Sequence, residues 1–222
     1  MKRYQMIILG LAASVVAGSY GWARMKAEIG YPEDFEVAPI GAEDPATQRH
    51  LATREMIETS DQAAGTKAND FEAQANDGKM YRLSEIVKDG PAVLLFIKDG
   101  CPCSRSADPF FQRLHAAGRG FVPFFGVIDG GVMVADKWAE QNNSAFPILA
   151  DPEMKIIQAF GAESSAYSAF VGRDGRIEKL WAGYSEQMLR ELGERMAPWV
   201  KPGMEYFDVT DAPVELYAGC SY

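Results

Sequence analysis

The tightest constraint on this chain is the junction Phe96-Ile97-Lys98-Asp99-Gly100-Cys101-Pro102-Cys103-Ser104. An apolar run, Ala92 to Ile97, has the length of a buried strand, and a helical pattern from Ser104 to Ala117 follows the second cysteine directly. The junction therefore predicts strand, turn and helix, with thiols at the amino end of the helix. Free backbone N–H groups and the positive end of the helix dipole favour thiolate over thiol there. Only the thiolate attacks disulfides or peroxides, so two of three cysteines on one such turn point to redox chemistry. A metal site fits less well, because Cys-x-Cys supplies two ligands at most and no His or Cys cluster in the sequence completes it. No metal and no cofactor are expected.

The 222 residues suit one ordinary domain with extensions, and a 47% hydrophobic content is ample for a core. Thirty-one acidic against 22 basic residues give a formal charge of −9. Lys and Arg are scattered among acids with no basic stripe, which excludes nucleic acid as a partner. Three cysteines are too few for a disulfide scaffold but suit a redox protein.

Lys2 and Arg3 precede an apolar stretch from Met6 to Gly18, with small residues near Ala17-Gly18-Ser19 and Gly21-Trp22-Ala23. This reads as an export signal. Residues 4–23 are also uncharged over about 20 positions, enough to span a bilayer. Either way the remainder is expected outside the cytoplasmic membrane, tethered by an N-terminal helix or released as an exported protein. Residues 1–27 are assigned to this anchor or signal, and residues 28–65 to an acidic spacer. Asp44-Pro45 carries an N-cap and first-turn proline signal, predicting a helix from Pro45 to about Thr59. His50 lies on it and is expected at the surface.

The compact domain is assigned to residues 66–199. Asn76-Asp77-Gly78-Lys79 is a hairpin signal. Strands are expected at Ala92 to Ile97, Phe121 to Ile128 and from Pro147 to Leu149, and a hairpin at Ala166 to Val171 with Ile177 to Trp181. Helices are expected from Ser104, at Val132 to Gln141, at Pro152 to Phe160 and after Ser185. Alternating strands and helices imply a mixed, mostly parallel sheet with helices on both faces. Phe124, Phe125, Trp138 and Trp181 occupy core-like positions, and His115 is expected to be packed within the fold or on its surface. Residues 200–222 form a tail without a strong pattern, holding the third cysteine, Cys220.

Phe146-Pro147-Ile148-Leu149-Ala150-Asp151-Pro152, Ala169-Phe170-Val171-Gly172-Arg173-Asp174-Gly175-Arg176-Ile177 and the opening Ala68-Asn69-Asp70-Phe71 stand in a family order around the cysteine turn. Over about residues 66 to 197 the chain resembles thioredoxin-fold redoxins of the alkyl hydroperoxide reductase/thiol-specific antioxidant (peroxiredoxin-like) family. The resemblance implies an α/β thioredoxin-like fold. It also implies Cys101 as the attacking cysteine; Cys103 is then assigned the resolving role, and Cys220, on the tail beyond the matched residues, offers another partner. The chain departs from the family's catalytic patterns. Ser104 replaces the second cysteine of Cys-x-x-Cys, Ala166 stands about where thioredoxins carry a cis-proline, and neither cysteine register carries Pro-x-x-x-Thr-x-x-Cys.

A Cys101–Cys103 bridge is within reach, since residues two apart span up to ~7 Å and disulfides prefer roughly 4.4–6.8 Å between Cα atoms. Cys220 could instead resolve either thiol, clamp the tail or pair with another chain. Lys98 or Arg105 could stabilise a thiolate. Three functions compete. The first is a membrane-tethered extracytoplasmic thiol–disulfide oxidoreductase acting on protein disulfides or peroxides. The second is a non-catalytic redoxin-fold subunit of a larger membrane complex, and the third a copper-delivery protein.

Overall fold

The structure is a computed structural model and describes residues 50–222. The expected span at residues 4–23, and the expected helix before residue 50, lie outside the described residues. Among the described residues no helix is long and apolar enough to cross a membrane.

Strand β3, Ala92–Ile97, is the centre of a five-stranded sheet of order β5-β4-β3-β6-β7. It runs parallel to β4 (Phe124–Ile128), which runs parallel to β5 (Ile148–Ala150). On its other side it is antiparallel to β6 (Ser168–Val171), which pairs with β7 (Ile177–Trp181) around the Asp174-Gly175 turn. Every β3 residue is buried, and the two-residue strand period divides them between two cores. Val93, Leu95 and Ile97 join one with α3 (Pro102–Ala117), α4 (Val132–Gln141) and α6 (Glu186–Met196). Ala92, Leu94 and Phe96 join the other with α2 (Leu83–Ile86) and α5 (Lys155–Ala159). A small antiparallel pair, β1 (Glu72–Gln74) and β2 (Met80–Arg82), is closed by the Asn-Asp-Gly-Lys turn. This is the mixed α/β thioredoxin-like architecture expected. Phe124, Phe125, Trp138 and Trp181 are all buried, and His115 packs edge-on against the Phe124 and Phe146 rings.

Local signals place several boundaries. Ser185 accepts a hydrogen bond from the Met188 N–H and starts α6, and Gly193 on that helix admits the Phe207 ring where a Cβ would meet it at 2.5 Å. Expected at Pro152, α5 begins instead at Lys155, because the buried Asp151 carboxylate accepts from the N–H groups of Ile156 and Ile157. Helix α1 spans Arg54–Gln62, so within the described residues the expected helix begins only after residue 53 and runs three residues beyond Thr59. Thr53 caps it by accepting from the Met56 N–H. Leu51 pairs instead with Tyr217, and the Ala52 N–H donates to Leu216 at 2.8 Å. At residues 51 and 52 the pairing with the tail, more than 160 positions away, takes the place of helical hydrogen bonds.

The tail is part of this fold. Val209, Ala212, Tyr217 and Ala218 are buried, and Asp211 binds the Arg113 guanidinium through both oxygens at 2.6 and 2.9 Å.

One buried acid on α3 sets a pH dependence. Asp108 is 2% exposed, with one carboxylate oxygen accepting from Gln112 and the other unpartnered. Burial pushes its pKa from 3.8 up to about 6, against the opposing Gln112 bond. The folded state therefore keeps a proton that the unfolded chain releases, so stability falls as pH rises from about 4 to about 6. Asp108→Asn removes this loss and is expected to stabilise the protein at pH 7 by about 1–2 kcal/mol, with little gain at pH 4. Urea midpoints at the two pH values check it; an equal gain at both would exclude titration as the cause.

Candidate redox site

The turn after β3 is closed by its own backbone. The Cys101 N–H donates to Lys98, Gly100 takes the left-handed φ of 71°, and the buried Ser104 hydroxyl accepts from the Lys98 N–H at 3.1 Å. Asp129, after β4, accepts from the Asp99 N–H at 2.7 Å and ties the turn to the carboxyl edge of the sheet. Cys101 occupies the N-cap position of α3, Pro102 the first helical position, where it gives up no hydrogen bond, and Cys103 the next.

The tail crosses this turn as an extended edge. Tyr217 exchanges both backbone hydrogen bonds with Tyr184, the Ala218 N–H donates to His50, and the Ser165 N–H donates to Cys220 at 2.9 Å. Lys98 donates to the Ser221 carbonyl at 2.7 Å and lies over the Tyr222 ring. It thus holds the tail, while Arg105 is exposed. These contacts bring Cys220 onto Cys101. The two are disulfide-bonded, with Cα atoms 6.2 Å apart and a sequence separation of 119. Cys103, left open as the partner of Cys101, is a free, half-buried thiol.

Two residues that sequence reasoning passed over complete the site. Ser165, fully buried in the loop before β6, accepts from the Cys220 N–H at 3.1 Å and directs its hydroxyl to the Cys101 sulfur at 3.2 Å. With its oxygen engaged by that N–H, the hydroxyl proton is available to a Cys101 thiolate. The available signal was its position beside Ala166, the residue standing where thioredoxins carry their cis-proline; Ala166 itself adopts φ 63° and donates to Phe96. The second is His50. It is not a plain surface residue: its Nδ1 lies 3.2 Å from the Gly219 carbonyl, and a ring nitrogen, the Cys103 sulfur and the Cys220 sulfur lie within 4.8 Å of one another. A histidine and the tail cysteine thus stand beside Cys103, a grouping the local sequence pattern does not show. His50 and Cys220 come from the two ends of the described chain.

Electrostatically the site is dry. Cys101 is 3% exposed. Burial pushes the Cys103 thiol pKa up, contrary to the lowering expected from the helix dipole alone. The hydroxyls of Tyr184 and Tyr217 are raised chiefly by burial, with Cys103 contributing to both.

The sequence profile of the AhpC/TSA family matches residues 64–195. The chain belongs to the AhpC/TSA family. Among solved structures, this family member is similar to the peroxidoxin BcpB from Mycobacterium tuberculosis, at 20% identity and a TM-score of 0.52, over 60% of this chain and 94% of that one. It is also similar to a candidate thiol:disulfide interchange protein DsbE from Chlorobium tepidum, at 20% identity and a TM-score of 0.55, over 62% and 97%. A third likeness is to the MTB protein dsbF in mixed oxidized and reduced forms, at 25% identity and a TM-score of 0.50, over 58% and 94%. At these identities the likeness is one of fold. A comparison with curated protein sequences finds no match.

Proposed function

We propose that this AhpC/TSA member is a membrane-tethered, extracytoplasmic thiol–disulfide oxidoreductase that cycles between a Cys101–Cys220 disulfide and its dithiol. The observation that carries the reading is a bridge at the amino end of α3 with a third thiol, Cys103, within 4.8 Å of the Cys220 sulfur. In the reduced protein the Cys101 thiolate, accepting from the Ser165 hydroxyl and aligned with the α3 dipole, attacks a protein disulfide. A mixed disulfide forms at Cys101 and one substrate thiolate leaves. The Cys220 thiolate then attacks the Cys101 sulfur, the second substrate thiolate departs, and the Cys101–Cys220 bridge remains. Cys103 gives the bridge an exit: attack on the Cys220 sulfur transfers the disulfide to Cys103–Cys220 and frees Cys101. Peroxide reduction by the same Cys101 thiolate is a secondary activity, because neither cysteine register carries the peroxidase threonine. A bridge of this kind suits an oxidising compartment, which supports export; residues 4–23 supply the tether in this reading.

The near-complete burial of Cys101 favours a second reading, in which the bridge only clamps the tail of a non-catalytic subunit. Turnover of a disulfide-linked fluorescent peptide by the full chain, recovered from alkali-washed membranes, separates the two. Cys101→Ser abolishes turnover, and Cys220→Ser traps a mixed disulfide at Cys101 that is visible by mass. Unchanged turnover in Cys220→Ser, with the fold intact by circular dichroism, overturns the resolving role. Recovery of the native protein in the soluble fraction removes the tether.

A further inference from the structure

We propose that the reduced protein holds one thiophilic d10 cation, Zn2+ or Cu+, between Cys101, Cys103, Cys220 and His50, so that the disulfide is the gate of a metal site. The ligand atoms of His50, Cys103 and Cys220 already lie within 4.8 Å of one another, and the Cys101 sulfur is covalently attached to that of Cys220. Around a tetrahedral Zn2+, with Zn–S about 2.3 Å and Zn–N about 2.0 Å, neighbouring ligand atoms stand roughly 3.5–3.8 Å apart. The cluster therefore needs to contract by about an ångström, while the opened bridge lengthens to the same separation. Three thiolates and one imidazole are a donor set for Zn2+ or Cu+. The candidate ligands include no carboxylate, so the hard cations that require oxygen donors have nothing to bind.

His50 is held by a hydrogen bond of the kind that orients metal-binding imidazoles. Its Nδ1 donates to the Gly219 carbonyl, which fixes the tautomer with the lone pair on Nε2. That carbonyl belongs to the residue before Cys220, and the His50 carbonyl accepts from the Ala218 N–H at 2.7 Å. The histidine and the tail next to its cysteine are thus tied together by two hydrogen bonds. All three clustered ligands are half-buried, accessible to an ion yet shielded from bulk water.

The bridge decides occupancy. With Cys101 and Cys220 oxidised, only Cys103 and His50 keep a strong donor atom, too few for a stable site. A dithiol reductant delivers two electrons and two protons to the bridge, giving two thiols and itself becoming a disulfide. The cation then displaces up to three thiol protons to solvent. The site rests on the oxidoreductase reading only in that the bridge must open, and a chemical reductant opens it regardless of turnover.

The test titrates the full chain anaerobically with Zn2+, and separately with Cu+, against a chromogenic chelator, before and after reduction verified by mass. The reduced protein is expected to bind one equivalent of at least one of the two ions and the oxidised protein none; the arms identify which ion the site takes. His50→Ala is expected to weaken binding by more than ~10-fold. Co2+ in place of Zn2+ is expected to show thiolate charge-transfer absorption that loses intensity in Cys103→Ser. No binding of either ion to protein whose bridge is shown open overturns the proposal. So does equal binding by the oxidised form or by His50→Ala. Metal binding without peptide turnover overturns the oxidoreductase reading and leaves the metal site standing.

Discussion

Opening the Cys101–Cys220 bridge is expected to lower the unfolding free energy by about 3–5 kcal/mol. The bridge closes a loop of 119 residues, and the denatured chain loses more freedom the longer the loop that is tied. That loss is a large fraction of the 5–15 kcal/mol by which ordinary domains are stable. For a chain of this size it corresponds to a fall in Tm of roughly 10 °C. Thermal unfolding with and without a phosphine reductant measures it. The wild-type Tm should fall on reduction, while Cys220→Ser should match the reduced wild type and ignore the reductant. Cys103→Ser, which leaves the bridge intact, should keep the wild-type response. An unchanged wild-type Tm with the bridge shown open by mass would mean that backbone pairing alone holds the tail.

Gly183→Ala is expected to detach that tail and cost about 2–4 kcal/mol. Gly183 adopts φ 151°, and a Cβ there would stand 2.1 Å from the Tyr217 carbonyl oxygen and 2.4 Å from its carbon. These are main-chain atoms that cannot rotate aside. The adjacent Tyr184 and Tyr217 exchange hydrogen bonds of 2.9 and 3.0 Å, so displacing Tyr217 removes both and exposes buried Ala218. Because Cys220 reaches Cys101 only along this edge, oxidation of the variant should yield little Cys101–Cys220 bridge, and Cys103 should be alkylated faster. Gly120→Ala is the control. It also has a positive φ but no atom within 4 Å, so it should cost about 1 kcal/mol and leave bridging unchanged. Normal bridging in Gly183→Ala would show that the tail has another route to the turn.

Where the deciding forces are local, the chain's residues announce their structure. The uniformly apolar Ala92–Ile97 becomes the central strand because only a strand covered on both faces accepts such a run. Val132–Gln141 and the Ser185-capped helix follow from periodicity and a cap, and the Asn-Asp-Gly-Lys turn from its need for a positive φ at Gly78. The redox turn was legible for the same reason: a strand end, a proline at the first helical position and two cysteines are all contained in nine neighbouring residues. Within the helix expected from Pro45 to Thr59, residues 51–53 are not helical, because the forces there are not local. Leu51 and Ala52 give their backbone groups to Tyr217 and Leu216, and no window around residue 50 contains that information.

The amino-acid sequence by itself determined the two-faced sheet, the placement of Cys101 and Cys103 at the start of α3, and the family to which both belong. Tertiary structure alone decided which thiol is bonded to which. Cys101 and Cys220 stand 119 positions apart, and only the tail's path past Tyr184, His50 and Ser165 brings their Cα atoms to 6.2 Å. The same path turned His50 from a lone histidine into the neighbour of two sulfurs, and Ser165 from a loop serine into the partner of Cys101. Patterns of hydrophobicity encode which residues are buried together. They do not encode which polar groups from opposite ends of the chain meet at one point, because that follows from the summed geometry of every element between them.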